Sequence, residues 1–148
     1  MTAVATARDL WPDDLVPLTP EPTPAAILRQ QGQLLGQKTG NAVYGEVRSE
    51  QDGKGPSENR PNKFTHTFVL TSGYLRYARP IVYVQHGLQP YPAEVIAVKP
   101  DGSGSHIRKA AVQSAEELES QLREAFASDE VKEVIRSLVA QARDVDDE

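Results

Sequence analysis

A chain of 148 residues is long enough to close one hydrophobic core without covalent staples. It contains no cysteine, which excludes a disulfide scaffold, thiol catalysis and a thiolate metal site, and fits a reducing compartment. The formal charge of −5 is uneven: residues 1–23 carry −3, residues 24–110 carry +5 and residues 111–148 carry −7, so a basic middle lies between acidic ends.

No apolar run approaches the roughly 20 residues that cross a bilayer. Met1 to Trp11 lacks a basic-then-apolar leader pattern. The expectation is therefore a cytoplasmic chain with no membrane contact, folded as one domain over residues 23–143. Residues 1–22 hold Pro12, Pro17, Pro20 and Pro22, which remove amide donors and disfavour helix before them. Leu10, Trp11, Leu15, Val16 and Leu18 make this an apolar extended arm, expected to cross the domain surface with Trp11 or Leu15 in a groove.

The first helix is predicted over 24–38. Thr23 is placed to cap it, Pro24 suits the first helical position, and Ile27, Leu28, Leu34 and Leu35 share a stripe. Gly36 and Gly40 weaken its end. A β-rich middle follows, with runs at 41–49, 63–71, 80–88 and 93–99 and a shorter one at 106–112. In the second run Phe64, His66, Phe68 and Leu70 share one face. Residues 50–62, rich in Gly, Pro, Ser and charge, read as a long hairpin loop. Two helices end the chain, capped by Ser114 with Glu117 and by Ser128. Val131, Val134, Ile135, Leu138, Val139 and Ala142 form the cleanest apolar face, a candidate homodimer contact through 131–142. Residues 144–148 are expected to be a frayed acidic tail.

The pattern specifies an α+β fold: an antiparallel four- to five-stranded sheet with one N-terminal and two C-terminal helices packed on one face. The alternative sets the last two helices apart as a dimer-forming hairpin.

Catalytic motifs are weak. Gly36-Gln37-Lys38-Thr39 lacks the spacing and the strand-to-helix setting of a phosphate loop. No G-x-S-x-G elbow is present. Glu46 and Glu94 are the only acids within the predicted strands and read as solvent-facing charge. His66, His86 and His106 fall on three different strands and read first as half-buried sheet histidines. No catalytic residue, metal ligand or cofactor is expected from these features.

Aromatic residues are more informative. Seven of nine lie between Tyr44 and Tyr91, interleaved with Lys63, Arg76 and Arg79. The leading expectation is a non-catalytic interaction protein. It would bind a protein partner through a basic, tyrosine-rich sheet edge (Tyr74, Arg76, Tyr77, Arg79 and Tyr91) and the 50–62 loop with Lys54, Arg60 and Lys63. One alternative is single-stranded nucleic-acid binding by the sheet. Another is a small-molecule binder or enzyme with a pocket between sheet and helices, marked by His66 and His86 facing one cleft.

Pro12-Asp-Asp-Leu15, Thr23-Pro-x-x-Ile-Leu-Arg-Gln-Gln31 and Leu34-Leu-Gly-x-Lys-Thr39 resemble segments of a group of small bacterial proteins of unknown function. The Ser128 to Gln141 pattern resembles the same group. The resemblance implies a bacterial cytoplasmic origin and carries no residue roles.

Overall fold

The computed structural model describes residues 8–17, 19–52 and 63–146. Its order is α1 (Pro24–Lys38), β1 (Tyr44–Asp52), β2 (Lys63–Ser72), β3 (Tyr77–His86), β4 (Ala93–Val98), β5 (His106–Val112), α2 (Ala115–Phe126) and α3 (Asp129–Asp146). The five strands form one antiparallel sheet in chain order, β1-β2-β3-β4-β5. Both outer strands are edges, and both carry charge there: Glu46, Arg48 and Glu50 on β1, Arg108 and Lys109 on β5. Charged edges discourage pairing with another sheet.

Local chemistry explains the helix limits. Thr23 Oγ1 accepts from the Ala26 amide at 3.3 Å, and Pro24 opens α1. At the other end Gly40 takes the left-handed conformation (φ 61°) and the Asn41 amide donates to the Gly36 carbonyl at 2.8 Å, which closes a Schellman turn. Ser114 Oγ accepts from the Glu117 amide at 3.2 Å, while the Glu117 carboxylate takes the Gln113 amide. Ser128 Oγ accepts from the Val131 amide at 3.4 Å.

One sheet face is covered by the helices. It carries Phe68, Leu70, Val82, Val84, Val95 and Ala97, buried with Ile27 and Leu28 of α1, Leu118 and Leu122 of α2 and Val131, Leu138 and Ala142 of α3. The stripe expected to serve a dimer is thus used inside the chain: Val131, Leu138 and Ala142 are buried against its own core.

Several boundaries depart from expectation; β1 starts only at Tyr44 and β3 stops at His86. β1 runs on to Asp52, because Glu50, Gln51 and Asp52 pair with Thr65, Phe64 and Lys63. An edge strand tolerates such polar residues, so the expected loop gives up its first three positions. β3 begins at Tyr77 rather than Pro80. Pro80 sits in an interior strand because a bulge opposite Phe68/Val69 leaves Ile81 without a partner. A bulge relieves the missing proline amide, and it turns the consecutive Ile81 and Val82 both into the core. The arm seats neither expected residue in a groove: Trp11 is 73% and Leu15 56% exposed. Its tertiary anchors lie further along, at Glu21, which accepts from the Ala115 amide at 2.7 Å, and at Pro22, whose carbonyl accepts from Tyr91 Oη at 2.7 Å. The helical run continues to Asp146, through most of the segment expected to fray.

Candidate functional site

The tyrosine and arginine candidates separate into two groups. β2 has ten residues, about 30 Å of extended chain. Tyr74 and Arg76 follow its end in the β2–β3 turn, and Tyr77 and Arg79 open β3 beside them. Lys63 and Tyr91 lie at the opposite end of the sheet. Lys54 and Arg60 lie outside the described residues.

Within the first group, Tyr77 Oη donates to the Pro100 carbonyl at 2.6 Å. Burial pushes its hydroxyl pKa up, opposed by Arg79 and reinforced by Asp101. Arg79 lies 5.8 Å from the Tyr77 ring centre and donates to the Ala78 carbonyl. Gly102, at φ 82°, leaves room for its guanidinium; a Cβ there would stand 2.9 Å from Arg79 Nε. Asp101 completes this turn, its carboxyl held below the usual range by Ser103. Tyr74 is 51% exposed. Arg76 is exposed and takes a left-handed backbone (φ 50°) that a glycine or asparagine would hold at less cost. Tyr91 is a bracing residue: its bond to Pro22 ties the β3–β4 connection to the start of α1. Burial first, then Glu21 and Glu119, push its pKa up to about 12. Phe68 is buried against Phe126, with ring centres 5.1 Å apart, and is not available to stack a nucleobase.

Between the helices and the sheet lies an apolar cavity of about 280 Å³. Phe68, Leu70 and Ile81 form its floor. Leu34 and Leu35 of α1 wall one side, and Val131 and Ile135 of α3 the other. Gln31 and Lys38 supply its polar groups, and the exposed Leu34 and Lys38 mark its open side. The helical stripe of α1 shows the wall in the sequence, but the cavity itself depends on how far α3 stands from α1.

A second arrangement occupies the same sheet face. His66 pairs with Val84 and His86 with Phe64, so the two histidines are diagonal neighbours on adjacent strands. Their Nε2 atoms are 2.8 Å apart. Ser49, directly across from His66 on β1, places Oγ 2.8 Å from His66 Nδ1. His86 Nδ1 lies 2.7 Å from the Gly87 carbonyl, and Phe64 stacks on its ring. A carbonyl only accepts, so Nδ1 of His86 carries a proton. In the neutral pair His86 Nε2 is then an acceptor, His66 Nε2–H donates to it, and Ser49 O–H donates to His66 Nδ1. Every group in the row is satisfied by this one set of tautomers. Burial, then His86 and Arg29, hold the His66 pKa below its ordinary value, which favours the neutral ring. His106 does not join them; it pairs with Val98 at the far edge. The alternation along 63–71 reveals the face of His66, while its meeting with Ser49 and His86 follows from registers that residue order alone does not specify.

The chain matches no known protein family, no curated protein and no solved structure. Residue roles therefore rest on its own geometry.

Proposed function

We propose that this protein binds a small amphipathic molecule, with an apolar body between α1 and α3 and an acidic head at Lys38. The observation that carries this reading is the cavity of about 280 Å³, floored by Phe68, Leu70 and Ile81, with Lys38 at its side. Its size falls just under the ~300 Å³ at which drug-sized pockets begin, and its make-up is the usual one, apolar walls with few polar groups. Lys38 lies in the last turn of α1, where the helix dipole favours a cation. An acidic head then meets a charge that does not have to be brought into the core. Anilinonaphthalene sulfonate, an apolar ring system with an anionic group, is a direct probe. Saturable fluorescence enhancement is expected, weakened several-fold by Lys38→Met and displaced by octanoate. Absence of a saturable signal in the folded protein overturns the reading.

A second reading, a protein partner at the Tyr74–Arg79 end, is supported by Arg76. An arginine kept at φ 50° in an exposed turn costs backbone energy that its side chain must offset. Tyr74 stands two residues away, half exposed, and the pair matches the residue types that dominate protein interfaces. Arg76→Gly is expected to raise stability by about 1 kcal/mol. The same substitution together with Tyr74→Ala should remove partners from a cross-linked pull-down; an unchanged set of partners counts against this reading.

A further inference from the structure

We propose that His66 and His86 form a binding site for a divalent transition-metal ion of the zinc or copper type, each ligating through Nε2. Three features of the geometry converge on this. First, the two Nε2 atoms point at one another across 2.8 Å. Two imidazoles sharing one ion, with metal–nitrogen bonds of about 2.0–2.1 Å and an angle of about 90–110°, hold their nitrogens about 2.9–3.4 Å apart. The diagonal pair reaches that span by opening a few tenths of an ångström and turning each ring, so that the two Nε2 lone pairs, now aimed at one another, converge on the ion.

Second, the nitrogen that would not ligate is already held on each ring. His86 Nδ1–H donates to the Gly87 carbonyl at 2.7 Å, the backing that ligating histidines ordinarily have. His66 Nδ1 is held by Ser49 Oγ at 2.8 Å. A serine is suited to this position because a hydroxyl both donates and accepts. Without metal it donates to His66 Nδ1. With metal on Nε2, the His66 proton moves to Nδ1 and the hydroxyl accepts it. The ring is satisfied in both states, and the neutral imidazoles need lose no net proton.

Third, the site has a way in. His66 is 8% exposed, but His86 and Phe64 are partly exposed and Ser49 is open to solvent on the edge strand. Imidazole nitrogen suits zinc, copper and nickel rather than magnesium or calcium. Among the described residues no cluster of three or more His, Asp or Glu offers a fuller protein cage. The ion would therefore keep water, or an incoming anion, in its remaining positions. Arg29 of α1 is the charged group that bears on His66 from the covering helix, and it opposes a bare cation. Affinity is accordingly expected to be micromolar rather than that of a closed structural site.

Titration calorimetry of the full chain with Zn²⁺ alone, and electron paramagnetic resonance with one equivalent of Cu²⁺ alone, test the proposal. One ion per chain is expected, with coupling to two imidazole nitrogens in the copper spectrum. His86→Gln should weaken binding at least about 10-fold and leave one nitrogen, and Ser49→Ala should weaken it about 10-fold through the second contact layer. His106→Gln should change nothing. Circular dichroism of each variant separates loss of a ligand from loss of the fold. Should His66→Gln or His86→Gln prevent folding, diethyl pyrocarbonate modification of the unaltered protein replaces them: Zn²⁺ must protect the partly exposed His86 from the reagent. No Zn²⁺ binding, binding equal in folded His86→Gln, no protection, or loss on His106→Gln overturns the proposal.

Discussion

α1 and α3 cover the same face of one sheet, yet they meet it in opposite ways. α1 lies directly on β1 at two glycines: a Cβ on Gly32 would stand 2.2 Å from the Gly45 carbonyl oxygen, and one on Gly45 would stand 2.1 Å from Phe68 Cζ. Backbone rests on backbone there, with the Phe68 ring beneath. α3 meets the sheet through side chains, and the cavity of about 280 Å³ opens between it and α1. The tight contact fixes where α1 sits, and the slack on the other side is what a ligand would use.

Substitutions that add atoms should respond to the two sides with opposite sign. The largest effect is expected from Gly45→Ala, which forces either the Phe68 ring or the whole of α1 to move. A loss at or above the top of the roughly 1–3 kcal/mol range for overpacking is expected in urea unfolding. A loss below about 0.5 kcal/mol would show that the glycine contact is not tight.

Tyr91→Phe comes next, since it releases the brace between the β3–β4 connection and the start of α1. A loss of about 1 kcal/mol is expected, with a pH signature. A phenol whose folded-state pKa stands at about 12, above its ordinary 10.0, stabilises the fold fully below pH 10. That contribution is lost as pH rises from 10 through about 12. Stability measured from pH 9 upward should decline in this window, and the decline should be smaller in Tyr91→Phe.

On the α3 side, Ile135→Phe places its extra atoms in the cavity. A gain of about 0.5–1 kcal/mol is expected, with loss of anilinonaphthalene sulfonate binding; a loss like that of Gly45→Ala would erase the contrast between the sides. Smallest of all is Ser72→Ala. Ser72 Oγ is buried with no hydrogen-bond partner among the described residues, so its removal should change stability by less than about 0.5 kcal/mol or raise it slightly.

The features legible in the sequence are those that local chemistry decides. Thr23, Ser114 and Ser128 announce the helix starts because a side-chain oxygen three residues before an orphan amide has one obvious use. The alternation Phe64, His66, Phe68, Leu70 shows one face of β2 directly, and the apolar stripes of α1 to α3 identify what they bury. The rest depends on contacts between distant segments. Glu50, Gln51 and Asp52 look like loop residues until Lys63 to Thr65 pair with them. Pro80 looks like a strand boundary until a bulge accommodates it. Gly32 and Gly45 bear no mark that they will touch. The candidate sites follow the same division. Lys38, Leu34 and Leu35 stand together on one helix, whereas Ser49, His66 and His86 come together only through two strand registers.

The sheet's strands lie in chain order, so every strand pairs with a neighbour in sequence. Such a topology shortens the loops that must close before strand pairing is rewarded, and folding accelerates as the mean separation of contacts falls. The β2–β3 hairpin, joined by only Gly73 to Arg76, has the least chain to close. By contrast, the hydrogen bond from Ala115 to Glu21 spans 94 residues and gains nothing until the strands between them are assembled. Kinetically, this clasp is expected to close in the last step. Weakening it should leave the folding rate nearly unchanged and speed unfolding, so the clasp sets how long the folded chain lasts rather than how quickly it forms.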